Sequence, residues 1–120
     1  MTHTMKLRHE PFYKIKNGLK TVELRLYDEK RQKISVSDEI IFTLDGGDET
    51  VRCRVLELYR FASFSELYSA LPLADLGYTG DELVAASPRD MEQYYSSEDI
   101  NAYGVIGIRI KLLNRDHRAF

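Results

Sequence analysis

Gly18-Leu19-Lys20-Thr21-Val22-Glu23-Leu24-Arg25-Leu26 is the stretch whose reading decides the fold. A glycine opens it and alternation follows. Val22, Leu24 and Leu26 fall on one side, and Thr21, Glu23, Arg25 and the next residue, Tyr27, on the other. A period of two is that of a β-strand with one face on a core. The other face sets a carboxylate two residues from a guanidinium, with Lys20 at the strand entrance. Alternate residues on a strand stand roughly 7 Å apart, so Lys20, Glu23 and Arg25 can converge on one ligand. On spacing alone the plainer expectation is an exposed face with an ion pair contributing under about 1 kcal/mol.

Upstream, Met5 and Leu7 alternate with Lys6 and Arg8, which predicts a first strand over His3–His9. Pro11 suits the first turn of a helix, with Glu10 at the favourable end of its dipole. Phe12, Ile15 and Leu19 form the apolar stripe of that helix, and Asn17-Gly18 closes it. Downstream, Asp28–Ser35 reads as a polar loop or short helical turn. Ser37-Asp38 turns the chain into a strand over Glu39–Leu44. Asp45-Gly46-Gly47-Asp48 is a hairpin turn. The return strand runs from Glu49 to about Phe61, long enough that a bend or bulge is expected.

Residues 63–102 change character. Ser63 with Glu66 is a capping-box pattern for a helix to Ala70, striped by Phe64, Leu67, Tyr68 and Leu71. Pro72 breaks it, and Leu73–Leu76 forms a turn closed by Gly77. Short helices are expected from Thr79 to Ala86, after Ser87-Pro88 carrying Met91, Tyr94 and Tyr95, and over Glu98–Ala102. Tyr103–Leu113 is the last strand, with Gly104 and Gly107 marking a bend or a close backbone approach. Asn114–Phe120 is read as a frayed polar tail. The order predicts an α+β domain: a small, mainly antiparallel β-barrel of five or six strands with a helical insert before the last strand.

A chain of 120 residues fits one domain over residues 1–120. No apolar run is long enough to span a membrane, and Met1–Glu10 has no apolar signal core. A single cysteine, Cys53, rules out an internal disulfide and fits a reducing cytoplasm. The net charge is −2, but residues 1–37 hold nine Lys/Arg against four Asp/Glu, while residues 38–103 hold four against fourteen. The basic residues at the two ends can build one basic patch if those ends meet. His3, His9 and His117 lack partners at ligand spacing, so neither a metal site nor a cofactor is predicted. A monomer is the working expectation.

Gly18, Lys20, Thr21, Glu23 and Arg25 resemble the hallmark segment of the ASCH domains, a branch of the PUA-like barrels. Arg8–Phe12, the turn and strand Val36-Ser37-Asp38-Glu39-Ile40-Ile41-Phe42, and Tyr103-Gly104-Val105-Ile106-Gly107-Ile108 resemble further stretches of that family in the same order. Ser37 departs from it, since glycine usually precedes the aspartate there. Either this turn needs no positive φ or it carries mild strain. The resemblance implies a cleft between barrel and insert, and roles in RNA binding, RNA metabolism or translation-linked regulation. No ligand follows from it.

The favoured reading is a module binding RNA or a nucleoside or nucleotide. Arg25 would hold a phosphate or base edge with its fork of donors. Glu23 would accept from an exocyclic amine, and Lys20 would hold an anion. Arg8 and Thr21 would add contacts, and Tyr94, Tyr95 or Tyr103 would stack a base. The alternative is a small amidohydrolase acting on an acylated cytidine. Some ASCH-like proteins do this with a lysine, a threonine and a glutamate. Lys20 matches the lysine, but Glu23 stands where the threonine would be, so only a Lys20–Glu23 acid–base pair remains. A protein-interaction module docking through the acidic, tyrosine-bearing insert is a second alternative.

Overall fold

The alternating apolar residues of five segments pair into one sheet in a computed structural model that describes residues 1–114. In chain order the strands are β1 (Thr2–Leu7), β2 (Val22–Leu26), β3 (Glu39–Leu44), β4 (Thr50–Phe61) and β5 (Val105–Asn114). Helix α1 (His9–Lys16) lies between β1 and β2, and a 3-10 turn (Arg31–Lys33) precedes β3. Between β4 and β5 come α2 (Phe64–Ala70), a 3-10 turn (Leu73–Leu76), α3 (Glu82–Ala85), α4 (Arg89–Glu92) and α5 (Ser97–Tyr103). The sheet order is β1-β3-β4-β5-β2, with β1 parallel to β3 and the other pairs antiparallel. It curls into a half-barrel, with the helices placed before the last strand.

The edges β1 and β2 share no ladder among the described residues. One side-chain bond spans the seam instead: Arg25 Nη2 donates to the Lys6 carbonyl at 2.8 Å. The long strand β4 keeps its pairing with β5 by shifting register between Arg52 and Cys53 and between Val55 and Glu57, as its length leads one to expect. The insert leaves and rejoins the sheet at one place, because Phe61 and Val105 are register partners.

Two apolar cores lie on opposite faces of this sheet. Met5, Phe12, Ile15, Phe42, Val55, Ile106 and Ile108 belong to the core inside the half-barrel, which α1 closes. Val22, Leu24, Leu26, Phe64, Leu67 and Val105 belong to the core beneath the insert. Gly107 lets α2 approach, since a Cβ there would lie 3.2 Å from both Leu71 Cδ1 and Val22 Cγ1. Arg109 ties the insert down further through Asp75, at 3.1 Å.

Several local expectations change. Leu19 lies past the end of α1 and is half exposed, so the stripe of that helix is Phe12 and Ile15 alone. The first strand ends at Leu7, and Tyr103 closes α5 rather than opening β5. Asn114, the first residue of the expected tail, instead closes β5, and residues 115–120 lie outside the described residues. The Ser63 cap is as read: its hydroxyl accepts from the Glu66 amide, while Glu66 Oε1 accepts from Ala62 N.

Ser37 resolves its two alternatives as strain, with φ at 81°. A non-glycine residue in the left-handed region costs of order 1 kcal/mol. Ser37→Gly relieves that but adds freedom to the unfolded chain. The expected net gain is about 0.5 kcal/mol, read as a raised urea midpoint; a lowered midpoint would contradict it.

Candidate functional site

The polar face of β2 is not a solvated wall. Glu23 pairs with Ile108 and Arg25 with Ile106, and register partners share a face. Glu23 and Arg25 therefore point with the inner core, while Val22, Leu24 and Leu26 pack beneath the insert. Glu23 is only 3% exposed. An exposed ion pair is thus the wrong picture for this strand: Glu23 is buried, with the core residue Ile108 as its register partner.

A buried carboxylate is costly unless it is paired, and here each oxygen has its own cation. Lys20 Nζ lies 3.1 Å from Oε1, and Arg25 Nε donates to Oε2 at 2.7 Å. Burial pushes the Glu23 carboxyl up. The charges and hydrogen bonds of Lys20 and Arg25 outweigh it and hold the group below its usual range. Burial lowers the Arg25 guanidinium, and Glu23 more than restores it.

Lys20 is placed by backbone. Gly18, at φ 77°, turns the chain off α1, and the amides of Leu19 and Lys20 both donate to the Lys14 carbonyl. The Lys20 stem lies against Gly77, where a Cβ would come within 3.2–3.4 Å of its carbons.

This triad forms the floor of a cavity of about 890 Å³ between the β1–α1 junction, β2 and the insert. Lys6 and Arg8 stand on the β1 side of it. Arg8 Nη1 donates to the Tyr94 hydroxyl at 3.0 Å, and its guanidinium lies 4.3 Å from that ring's centroid. Lys14 reaches across from α1 and donates to the Gly77 carbonyl at 2.6 Å and to Glu82 at 2.8 Å. Hydrogen bonds from Lys14 and then from Thr79 hold the Glu82 carboxyl down to about 2.

The insert side carries tyrosines. The Tyr68 and Tyr78 hydroxyls are 2.7 Å apart, and Tyr78 donates to Asp90 at 2.6 Å. Tyr95 stacks on Phe64 at 5.8 Å between centroids. Its phenol is raised by burial, with Arg25 pulling the other way.

Of the residues singled out in the sequence, Arg8, Lys20, Glu23, Arg25, Tyr94 and Tyr95 line this cavity. Thr21 and Tyr103 do not. Thr21 serves through its backbone, donating to Asp75 O and accepting from Ile110 N. Tyr103 donates to Glu29 at 3.1 Å. Sequence reasoning passed over Lys6, Lys14, Tyr68, Tyr78 and Asp90. A tyrosine at position 68, the one polar-tipped residue in a stripe otherwise made of Phe64, Leu67 and Leu71, was the available signal, since a buried phenol needs a partner. His3 bonds Asp38 at 2.8 Å and neither lines this cavity, and Cys53 is buried with its thiol pushed up to about 12, first by burial and then by the Glu23 charge. No three His, Cys, Asp or Glu side chains among the described residues cluster as metal ligands, and no helix among them is long and apolar enough to cross a membrane.

A family model of the ASCH domain matches residues 5–114. The crystal structure of the hypothetical protein PH0355 is similar, at 31% identity and a TM-score of 0.79, over 94% of this chain and 100% of that one. The solution structure of protein PF0455 from Pyrococcus furiosus is similar at 30% identity and a TM-score of 0.67, over 94% of this chain and 98% of that one. No curated protein matches.

Proposed function

Because the chain belongs to the ASCH domain family, whose PUA-like fold is consistent with RNA binding, we propose that it binds single-stranded RNA or a nucleotide in the cavity between half-barrel and insert, in RNA metabolism or translation-linked regulation. The observation that carries this reading is the floor of the cavity. Glu23 occupies only part of the donor capacity of its two cations. Arg25 Nη1 has no protein partner among the described residues, and Lys20 needs only one of its three protons for Glu23. Lys6, exposed and without an ion pair among the described residues, adds a positive charge at the rim. Donors at the floor, a cation at the rim and tyrosines on the wall suit a base with its phosphate.

Short single-stranded RNA should bind with an affinity that falls as salt rises, because phosphate contacts release counterions. Lys6→Ala should reduce the slope of log affinity against log salt by about 0.7, the value for one contact on a single strand. Fluorescence anisotropy across a salt series reads both. No binding at low salt, or an affinity indifferent to salt, would remove the proposal.

Hydrolysis of an acylated cytidine is less well supported. No hydroxyl stands three residues after Lys20, and Thr21 does not line the cavity. A partner-docking role for the insert is disfavoured by a concave site with spare donors.

A further inference from the structure

The hydrogen-bond chain on the insert wall has a fixed direction. Asp90 Oδ2 accepts from Tyr78 at 2.6 Å and from the Ser87 amide at 3.2 Å. A backbone N–H can only donate, so Asp90 is the acceptor that ends the chain. Tyr78 has one hydroxyl proton and commits it to Asp90. The Tyr68 hydroxyl, 2.7 Å from that of Tyr78, must therefore give its own proton to the Tyr78 oxygen. What remains on Tyr68 is lone pairs: it can accept a further hydrogen bond but has nothing left to donate. Both phenols are raised, first by burial, so neither ionises near neutral pH and the direction persists.

The floor, on the β2 side, has the reverse character. Both Glu23 oxygens are occupied by cations, which leaves the remaining N–H groups of Lys20 and Arg25 Nη1 as the donors on that side. Tyr68, Lys20 and Arg25 line the same cavity. It thus offers an acceptor on the insert side and donors on the β2 side. The base that complements this has an amino group beside a ring nitrogen or carbonyl.

We propose that Tyr68 sets the specificity of the cavity by accepting a hydrogen bond from the exocyclic amino group of a bound base, while Lys20 and Arg25 donate to an acceptor on the same base. The inference rests on the nucleotide-binding reading above and adds its ligand class: amino-bearing bases of the cytosine or adenine type. Tyr78 and Asp90 act through Tyr68, as positioning residues that hold its proton away from the ligand.

The test compares RNA hexamers that differ only in the amino group: cytidine against its 4-deamino analogue, 2-pyrimidinone riboside, and adenosine against purine riboside. Wild type should prefer the amino-bearing member of at least one pair by about tenfold, the size of one net hydrogen bond. Tyr68→Phe should abolish that preference. Tyr78→Phe frees the Tyr68 proton to turn toward the ligand and should shrink the preference, and it keeps the test alive if Tyr68→Phe fails to fold by circular dichroism. Equal binding within both pairs by wild type overturns the inference and leaves RNA binding standing, as does a preference that survives in both variants. Absence of binding by all four hexamers at low salt overturns both.

Discussion

Glu23→Ala should lower the folding free energy by about 3–5 kcal/mol. The loss arises because the substitution removes one charge from a buried group of three. Lys20 and Arg25 then lose the carboxylate that both of them bind, and an uncompensated buried charge costs more than the pair ever contributed. Lys20 borders the cavity and can swing into it, which places the loss toward the lower end. Glu23→Gln keeps the shape and one acceptor, and should cost less. The acid side of the stability curve gives an independent check. The folded carboxyl lies below its usual range, so its contribution is complete above the unfolded value and is lost as pH falls through the lowered folded one. Glu23→Ala should flatten that part of the curve. Urea unfolding of both proteins from pH 7 downward measures the two effects, and an unchanged midpoint at pH 7 would contradict the burial argument.

Gly104→Ala should cost about 3 kcal/mol or more, from two separate sources. Gly104 has φ 73° and ψ −171°, a region that only glycine enters without strain of about 1–3 kcal/mol. A Cβ there would also lie 2.9 Å from the Phe61 carbonyl oxygen. That atom is backbone, fixed by the pairing of Phe61 with Val105, so it cannot move aside as a side chain would. Gly18→Ala is the matched control. Gly18 has φ 77°, but a Cβ there meets nothing within 4 Å, so only the strain of about 1 kcal/mol applies. Thermal unfolding of the two variants side by side decides the matter, and equal losses would mean that the contact with Phe61 contributes nothing.

The strands and caps were readable because they rest on local chemistry. The period of two at Met5/Leu7, Ile40/Phe42 and Val51/Cys53/Val55, the Ser63–Glu66 box and the Gly46-Gly47 turn each act within a few residues. The convergence of Lys20, Glu23 and Arg25 was readable for the same reason. Their burial was not. Alternation marks two faces of a strand but cannot say that a second core, built from residues up to Ile100 and Val105, covers the apolar one. That leaves the polar face turned toward the half-barrel. Leu19 fails in the opposite way: its spacing fits a helix that Asn17 and Gly18 have already ended. Tyr68, Tyr78 and Asp90 meet only when three separate short segments stack, and no local pattern announces that.

The pairing of Phe61 with Val105 has a consequence for how such a fold can diversify. The chain departs from the sheet and returns at adjacent positions, so residues 62–104 form an excursion already closed by the ladder. Lengthening a closed excursion costs only about 0.6 kcal/mol per doubling. The half-barrel keeps its own interior on the other face of the sheet. Lys20, Glu23 and Arg25 belong to the constant part, and Tyr68, Tyr78 and Asp90 to the exchangeable one. One scaffold can therefore keep the buried ion pairs of Lys20, Glu23 and Arg25 while exchanging the segment that forms the facing wall of the cavity.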